Sequence, residues 1–127
     1  MKELILTVGL PRAGKSTWAM KQGHPVVNRD AIRLALHGHA FIGKAEAMVT
    51  VIEKYMVKSL FEAGHKCVII DATHLKEKYR KRWEHDEWNI KIQKFDASVS
   101  VCIDRAKKDN REDLIPVIER MAKIKDT

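Results

Sequence analysis

Gly9-Leu10-Pro11-Arg12-Ala13-Gly14-Lys15-Ser16 sets two glycines, a lysine and a hydroxyl at the spacing G-x-x-x-x-G-K-[ST], and Thr17 follows. Chance assembles that pattern in roughly one in a few hundred chains of this length. Its flanks agree with it. Glu3 to Val8 is a short apolar run ended by glycine, read as a buried strand, and Lys15 to Gln22 reads as a helix stopped by Gly23. A strand feeding a glycine loop that opens a helix can fold its backbone N–H groups around an anion, with the positive end of the helix behind them. Lys15 would then reach the β- and γ-phosphates of ATP, and the Ser16 hydroxyl would hold Mg²⁺. Apart from Leu10, every residue of this stretch and Thr17 is a candidate cofactor-binding residue. The bland alternative is an ordinary basic helix start. Arg12 stands where many such loops carry glycine, so its backbone must take a negative φ or carry strain, and its side chain is expected to face solvent or substrate.

Downstream, strands and helices alternate. Pro25 to Asn28 reads as a second strand; Asp30 is a good N-cap for a short helix carrying Arg33, Leu34 and Leu36 up to Gly38. From Lys44 to Ala63, Met48, Val51, Ile52, Tyr55, Met56 and Leu60 recur at helical steps, which predicts one apolar stripe facing the core. Cys67 to Asp71 is a third strand with an acid at its carboxyl end. Lys76 to Glu87 reads as a helix, Asn89 to Phe95 as a fourth strand, and Val99 to Lys125 as mostly helical. This order argues for an α/β fold: a central parallel sheet of about four strands with helices on both faces. Ligands of such sheets bind beyond the strands' carboxyl ends, where the glycine loop, Asp30, Asp71 and Asp96 all fall.

A phosphate loop by itself says only nucleotide. Transfer to an alcohol also needs a carboxylate to orient and deprotonate the acceptor hydroxyl, with positive charge nearby. Asp30 and Arg33 supply both, one helical turn apart on one face; equally, Asp30 could only cap the helix and Arg33 only be solvated. Asp71 has the position of an acid that holds the metal's water shell.

Taken together, Gly9 to Ala19, Asn28-Arg29-Asp30 with Arg33, Asp71-Ala72-Thr73-His74, the basic stretch before Trp83, and Arg105 to Arg111 with Pro116 resemble the kinase domain of phage-type 5′-polynucleotide kinases. The correspondence runs in order over almost the whole chain. The resemblance implies an adenylate-kinase-like P-loop kinase fold and transfer of the γ-phosphoryl group of ATP to the 5′-hydroxyl of DNA or RNA, in nucleic acid end repair alongside a ligase. It implies Lys15 and Ser16 on ATP and metal, Asp30 as general base, Arg33 on the acceptor's phosphate, and Asp71 and Thr73 on the acceptor side. Ala72 and His74 depart from the family's segment, and His74 is a weaker candidate. So does the lid, where relatives carry two arginines four residues apart: here Arg105 is followed by Asp109, with Arg111 two positions on. An acid cannot stabilise the transferring phosphates, so Arg111 is assigned that task with Arg105 in support, Lys107 and Lys108 being alternatives.

Charge supports an anionic partner. Twenty-four lysines and arginines against 17 acids give a net charge of +7. Lys76, Lys78, Arg80, Lys81 and Arg82, with Tyr79 and Trp83 interleaved, could track a polynucleotide backbone or be a solvated face. Neither Glu84-His85-Asp86-Glu87 nor His37 and His39 has a metal-binding spacing. With 127 residues, one domain is expected, without the phosphatase domain fused to some relatives. No apolar run approaches the roughly 18 residues of a membrane span, and Cys67 and Cys102 form no CxxC pair, so a reducing, cytosolic setting is expected. Two other readings stay open: a kinase of a small-molecule hydroxyl (nucleoside, sugar, or nucleotide sugar as in zeta-toxin-like kinases), or a nucleotide-binding accessory protein whose altered lid has lost catalysis.

Overall fold

The apolar runs pair as a parallel sheet in the computed structural model, which describes residues 1–38 and 41–124. Its strands are β1 (Lys2–Val8), β2 (Val26–Asn28), β3 (Cys67–Asp71) and β4 (Trp88–Lys94), in the order β2-β3-β1-β4. Leu4 pairs with Val68 and Leu6 with Ile70, so their side chains share one face, while Ile5 and Ile69 share the other. Helices α2 (Arg29–His37) and α3 (Glu46–Glu62) cover the first face through Ile32, Val49, Val57 and Phe61; α1 (Lys15–Met20) covers the second through Ala19. Helices α5 (Val99–Lys108) and α6 (Ile115–Ala122) pack Cys102, Ala106 and Ile118 against Ala13 of the glycine loop. The α/β architecture read from the sequence is the one observed.

Three local expectations are corrected. Helix α3 turns Val49, Glu53, Val57 and Phe61 inward, four residues apart, and leaves Met48, Val51, Tyr55 and Met56 exposed; only Ile52 and Leu60 of the expected stripe touch the core. The helix is apolar on two sides, and the buried side contains Glu53, which Arg29 neutralises from α2. The second correction concerns the helix expected over Lys76 to Glu87, which is only the short α4 (Glu77–Lys81). Trp83 is 2% exposed and accepts the Trp88 indole N–H on its carbonyl at 2.7 Å, while Phe61 stacks on Trp88 with ring centroids 5.3 Å apart. Burying an aromatic side chain of about 150–250 Å² contributes about 4–6 kcal/mol, against a few tenths of a kcal/mol per residue for helix propensity. The chain therefore turns inward at Trp83. Third, Asn28 rather than Asp30 is the N-cap of α2, accepting the Ala31 N–H at 2.9 Å; Asp30 lies in the first turn.

The helical tail is broken after α5, where Asn110 takes a φ of 56° and the Arg111 N–H bonds to the Ala106 carbonyl at 2.8 Å. His39 and Lys125 lie outside the described residues. Among the described residues, no helix is long and apolar enough to cross a membrane.

Candidate active site

At the carboxyl end of β1 the loop is packed too closely for side chains at its first glycine. A Cβ on Gly9 would lie 3.0 Å from both the Cβ and the carbonyl oxygen of Phe95, and the Gly9 N–H donates to the Thr73 carbonyl at 3.1 Å. Gly14 has a φ of 102°, which admits glycine at no steric cost. Arg12 has a φ of 69°, so it carries strain rather than the negative φ open to it. Lys15 is 7% exposed and donates from Nζ to the carbonyls of Gly9 at 2.9 Å and Leu10 at 2.5 Å. Burial holds its pKa below the ordinary lysine value, opposed chiefly by the Asp71 carboxylate.

Asp71, 5% exposed at the end of β3, closes the floor of the site. Its Oδ2 accepts from Ser16 Oγ at 2.5 Å and from Asn28 Nδ2 at 2.9 Å. A hydroxyl and a carboxylate set side by side are hard oxygen donors, which suit Mg²⁺ held partly through its own waters. Together with the glycine at positive φ and the buried lysine, they fit a metal-bound triphosphate. Thr73 is half-buried beside this pair, and its carbonyl is the one that ties down Gly9.

Helix α2 forms the opposite wall. Asp30 is 89% exposed and accepts from Arg33 Nη1 at 2.7 Å. Arg33 also donates from Nε to Glu46 Oε2 at 2.9 Å and lies 5.6 Å over the Phe41 ring. That fork lowers the Glu46 pKa and raises the Arg33 pKa. Behind it, Arg29 bonds to Glu53, Glu46 and, at 3.1 Å, Thr50, which also accepts from Arg82 at 3.2 Å. Glu53 is 2% exposed, and burial raises its pKa despite Arg29. Sequence reasoning missed Glu46 and Glu53. Their seven-residue spacing on α3 opposite Arg29 and Arg33, four apart on α2, was the available signal.

From the third side, Arg105 Nη1 donates to the Arg12 carbonyl at 3.1 Å, and Arg12 Nη1 lies 3.4 Å from Asp109 Oδ2. Arg111 forks onto Asp113 at 3.1 and 3.2 Å. All these groups line one open cleft of about 1550 Å³. Of the basic stretch, Arg80 and Arg82 turn inward, to the His74 carbonyl at 2.8 Å and to Thr50, while Lys78 and Lys81 stay exposed. Glu84 to Glu87 lie in the turn after Trp83, where His85 stacks on Trp88.

His74 is a buried support. The Thr7 carbonyl can only accept, so Nδ1 donates to it at 2.8 Å, and burial pulls the pKa from 6.5 to about 4. The folded state thus binds this proton less readily than the unfolded one, and stability present above pH 6.5 falls as the pH drops toward 4. The urea midpoint is expected to decline through that window, with a flatter profile in His74→Asn; an equally steep decline in the variant would show that another group is responsible.

A family model described as AAA domain matches residues 4–123. A chain from a solved Pnkp1/Rnl/Hen1 complex superposes with a TM-score of 0.73 and 27% identity, covering 82% of this chain and 38% of that one. A chain from the Pnkp1/Rnl/Hen1 RNA repair complex superposes with a TM-score of 0.72 at 19% identity, covering 94% of this chain and 45% of that one. This chain therefore spans less than half the length of either neighbour. The parallel sheet order, the loop between β1 and α1 and the family match agree on a P-loop kinase fold, and the chain belongs to the AAA domain family.

Proposed function

We propose that this protein transfers the γ-phosphoryl group of Mg·ATP to the 5′-hydroxyl end of DNA or RNA. One observation carries the reading: a phosphate loop with Lys15 and the Ser16–Asp71 pair faces, across one cleft, an exposed carboxylate, Asp30, that an arginine holds in place. Bound Mg·ATP would supply the phosphoryl group and the metal's charge. Ser16 and Asp71 would hold the metal, and the loop N–H groups and Lys15 the phosphates. Asp30 accepts the proton of the acceptor hydroxyl, whose oxygen then attacks phosphorus in line with the departing ADP. Arg33, fixed by Glu46, meets the acceptor's own phosphate, and Thr73 contacts the acceptor from the Asp71 side of the cleft. Arg105 and Arg111 flank the phosphate end.

A polynucleotide acceptor is supported by the charge of +7 and by the likeness to chains of a Pnkp1/Rnl/Hen1 complex, one of them described as an RNA repair complex; work alongside a ligase is part of the same proposal. The test is acceptor length. The kcat/KM for 5′-hydroxyl oligonucleotides is expected to rise from one to about six nucleotides and then to fall with salt, with a log–log slope of about −0.7 per phosphate contact. Equal activity on nucleosides or sugars, insensitive to salt, would move the assignment to a small-molecule hydroxyl.

A further inference from the structure

The cations around the loop are not equivalent. Lys15 is folded onto loop carbonyls, Arg33 is held by Asp30 and Glu46, Arg111 forks onto Asp113, and Arg105 is engaged with the Arg12 carbonyl. Arg12 differs from all of them. Among the described residues its one ion pair, with Asp109, is long at 3.4 Å, and its Nε is buried with no hydrogen-bond partner. Its backbone sits at a φ of 69° in the loop that cradles phosphate. An unsatisfied buried donor and a left-handed non-glycine backbone are both costly, and strain of this kind collects at functional sites. An oxyanion reaching Nε and Nη would satisfy the orphaned donor, and the planar guanidinium fork matches phosphoryl oxygens.

Asp109 and Arg105 stand four residues apart at the end of α5, and between them they hold Arg12 at its guanidinium and at its carbonyl. We propose that Arg12 is the cation that stabilises the transferring phosphoryl group, and that Asp109 is the positioning residue that keeps its guanidinium beside the loop until the terminal phosphate takes it. In phosphoryl transfer, charge spreads over the three equatorial oxygens, so a cation aimed there acts more strongly in the transition state than on bound nucleotide. The acid at position 109 thereby has a role that an acid can perform: it orients an arginine supplied by the loop. The inference rests on the phosphoryl-transfer reading and is independent of which hydroxyl accepts.

The test compares affinity for Mg·ADP with and without aluminium fluoride, which mimics the planar transferring group, beside a label-transfer assay on a 5′-hydroxyl oligonucleotide. In Arg12→Gly, the gain in affinity that aluminium fluoride brings is expected to fall about 10²–10³-fold, with Mg·ADP binding within about threefold. The thermal midpoint should not drop, because glycine accepts the left-handed backbone. Arg12→Lys should recover part of the gain. Asp109→Asn should reduce it several-fold, and adding this change to Arg12→Gly should cause no further loss, since both act through one guanidinium. An intact gain in Arg12→Gly overturns the role of Arg12, and additive losses in the double variant overturn that of Asp109. A wild-type gain without transfer to the oligonucleotide overturns only the acceptor assignment and leaves Arg12 in place. A wild-type protein with no gain overturns the proposal together with phosphoryl transfer.

Discussion

Replacing Lys15 with alanine is expected to lower phosphoryl transfer by about 10³-fold or more, through both kcat and the KM for ATP. The ammonium performs two tasks. In the proposed mechanism it faces the site where charge develops on the transferring phosphates, and loss of one such donor costs about 10²–10³-fold. It also ties the Gly9 and Leu10 carbonyls together, so its removal loosens the loop that presents N–H groups to the nucleotide. Burial lowers the Lys15 pKa, and Asp71 offsets this in part by favouring the charged ammonium. Lys15→Arg should be nearly as poor, because a side chain only 7% exposed leaves no room for the wider guanidinium. Single-turnover rates over a range of ATP concentrations check this, and activity within tenfold of wild type in Lys15→Ala would contradict it.

Asp30→Asn should behave differently, losing about 10²–10⁴-fold in kcat, as removal of a general base does, with the KM for ATP nearly unchanged. The carboxylate stands on the wall opposite the loop, and Asn28 rather than Asp30 caps α2. The variant should therefore fold and bind nucleotide as wild type does. Asparagine keeps the shape and can still meet Arg33, but it cannot take the acceptor's proton. A kcat within a few-fold of wild type would reduce Asp30 to a partner of Arg33. A fall in the thermal midpoint matching the loss of rate would make it structural.

The contrast between these residues and the rest shows which part of the site a sequence can announce. The loop is legible because its task is local: close packing against Phe95 demands glycine at position 9, a left-handed backbone favours it at position 14, and the lysine and hydroxyl must follow at fixed offsets. Strands β1 and β3 are legible because both faces are buried, which leaves continuous apolar runs. The inward face of α3 was hidden because Met48, Val51 and Tyr55 offer an equally regular stripe, and the side that is buried contains Glu53, paired with Arg29 from 24 residues earlier. The end of α4 was hidden because Trp83 is drawn inward by contacts with β4 that no local pattern encodes. The Ser16–Asp71 bond joins residues 55 apart, and the Arg105–Arg12 bond joins residues 93 apart. Asp109 accordingly reads in the sequence as a missing cation, whereas in the fold it faces Arg12.

The central claim is transfer of a phosphoryl group from nucleotide to a 5′-hydroxyl end. It is tested most directly by incubating the protein with Mg·ATP labelled at the γ-phosphate and two oligonucleotides of one sequence, one with a 5′-hydroxyl and one already 5′-phosphorylated. The account predicts label on the 5′-hydroxyl oligonucleotide alone, absent when Lys15→Ala or Asp30→Asn replaces the wild type. Equal labelling of both oligonucleotides, or no label on either while ATP is bound, would contradict it.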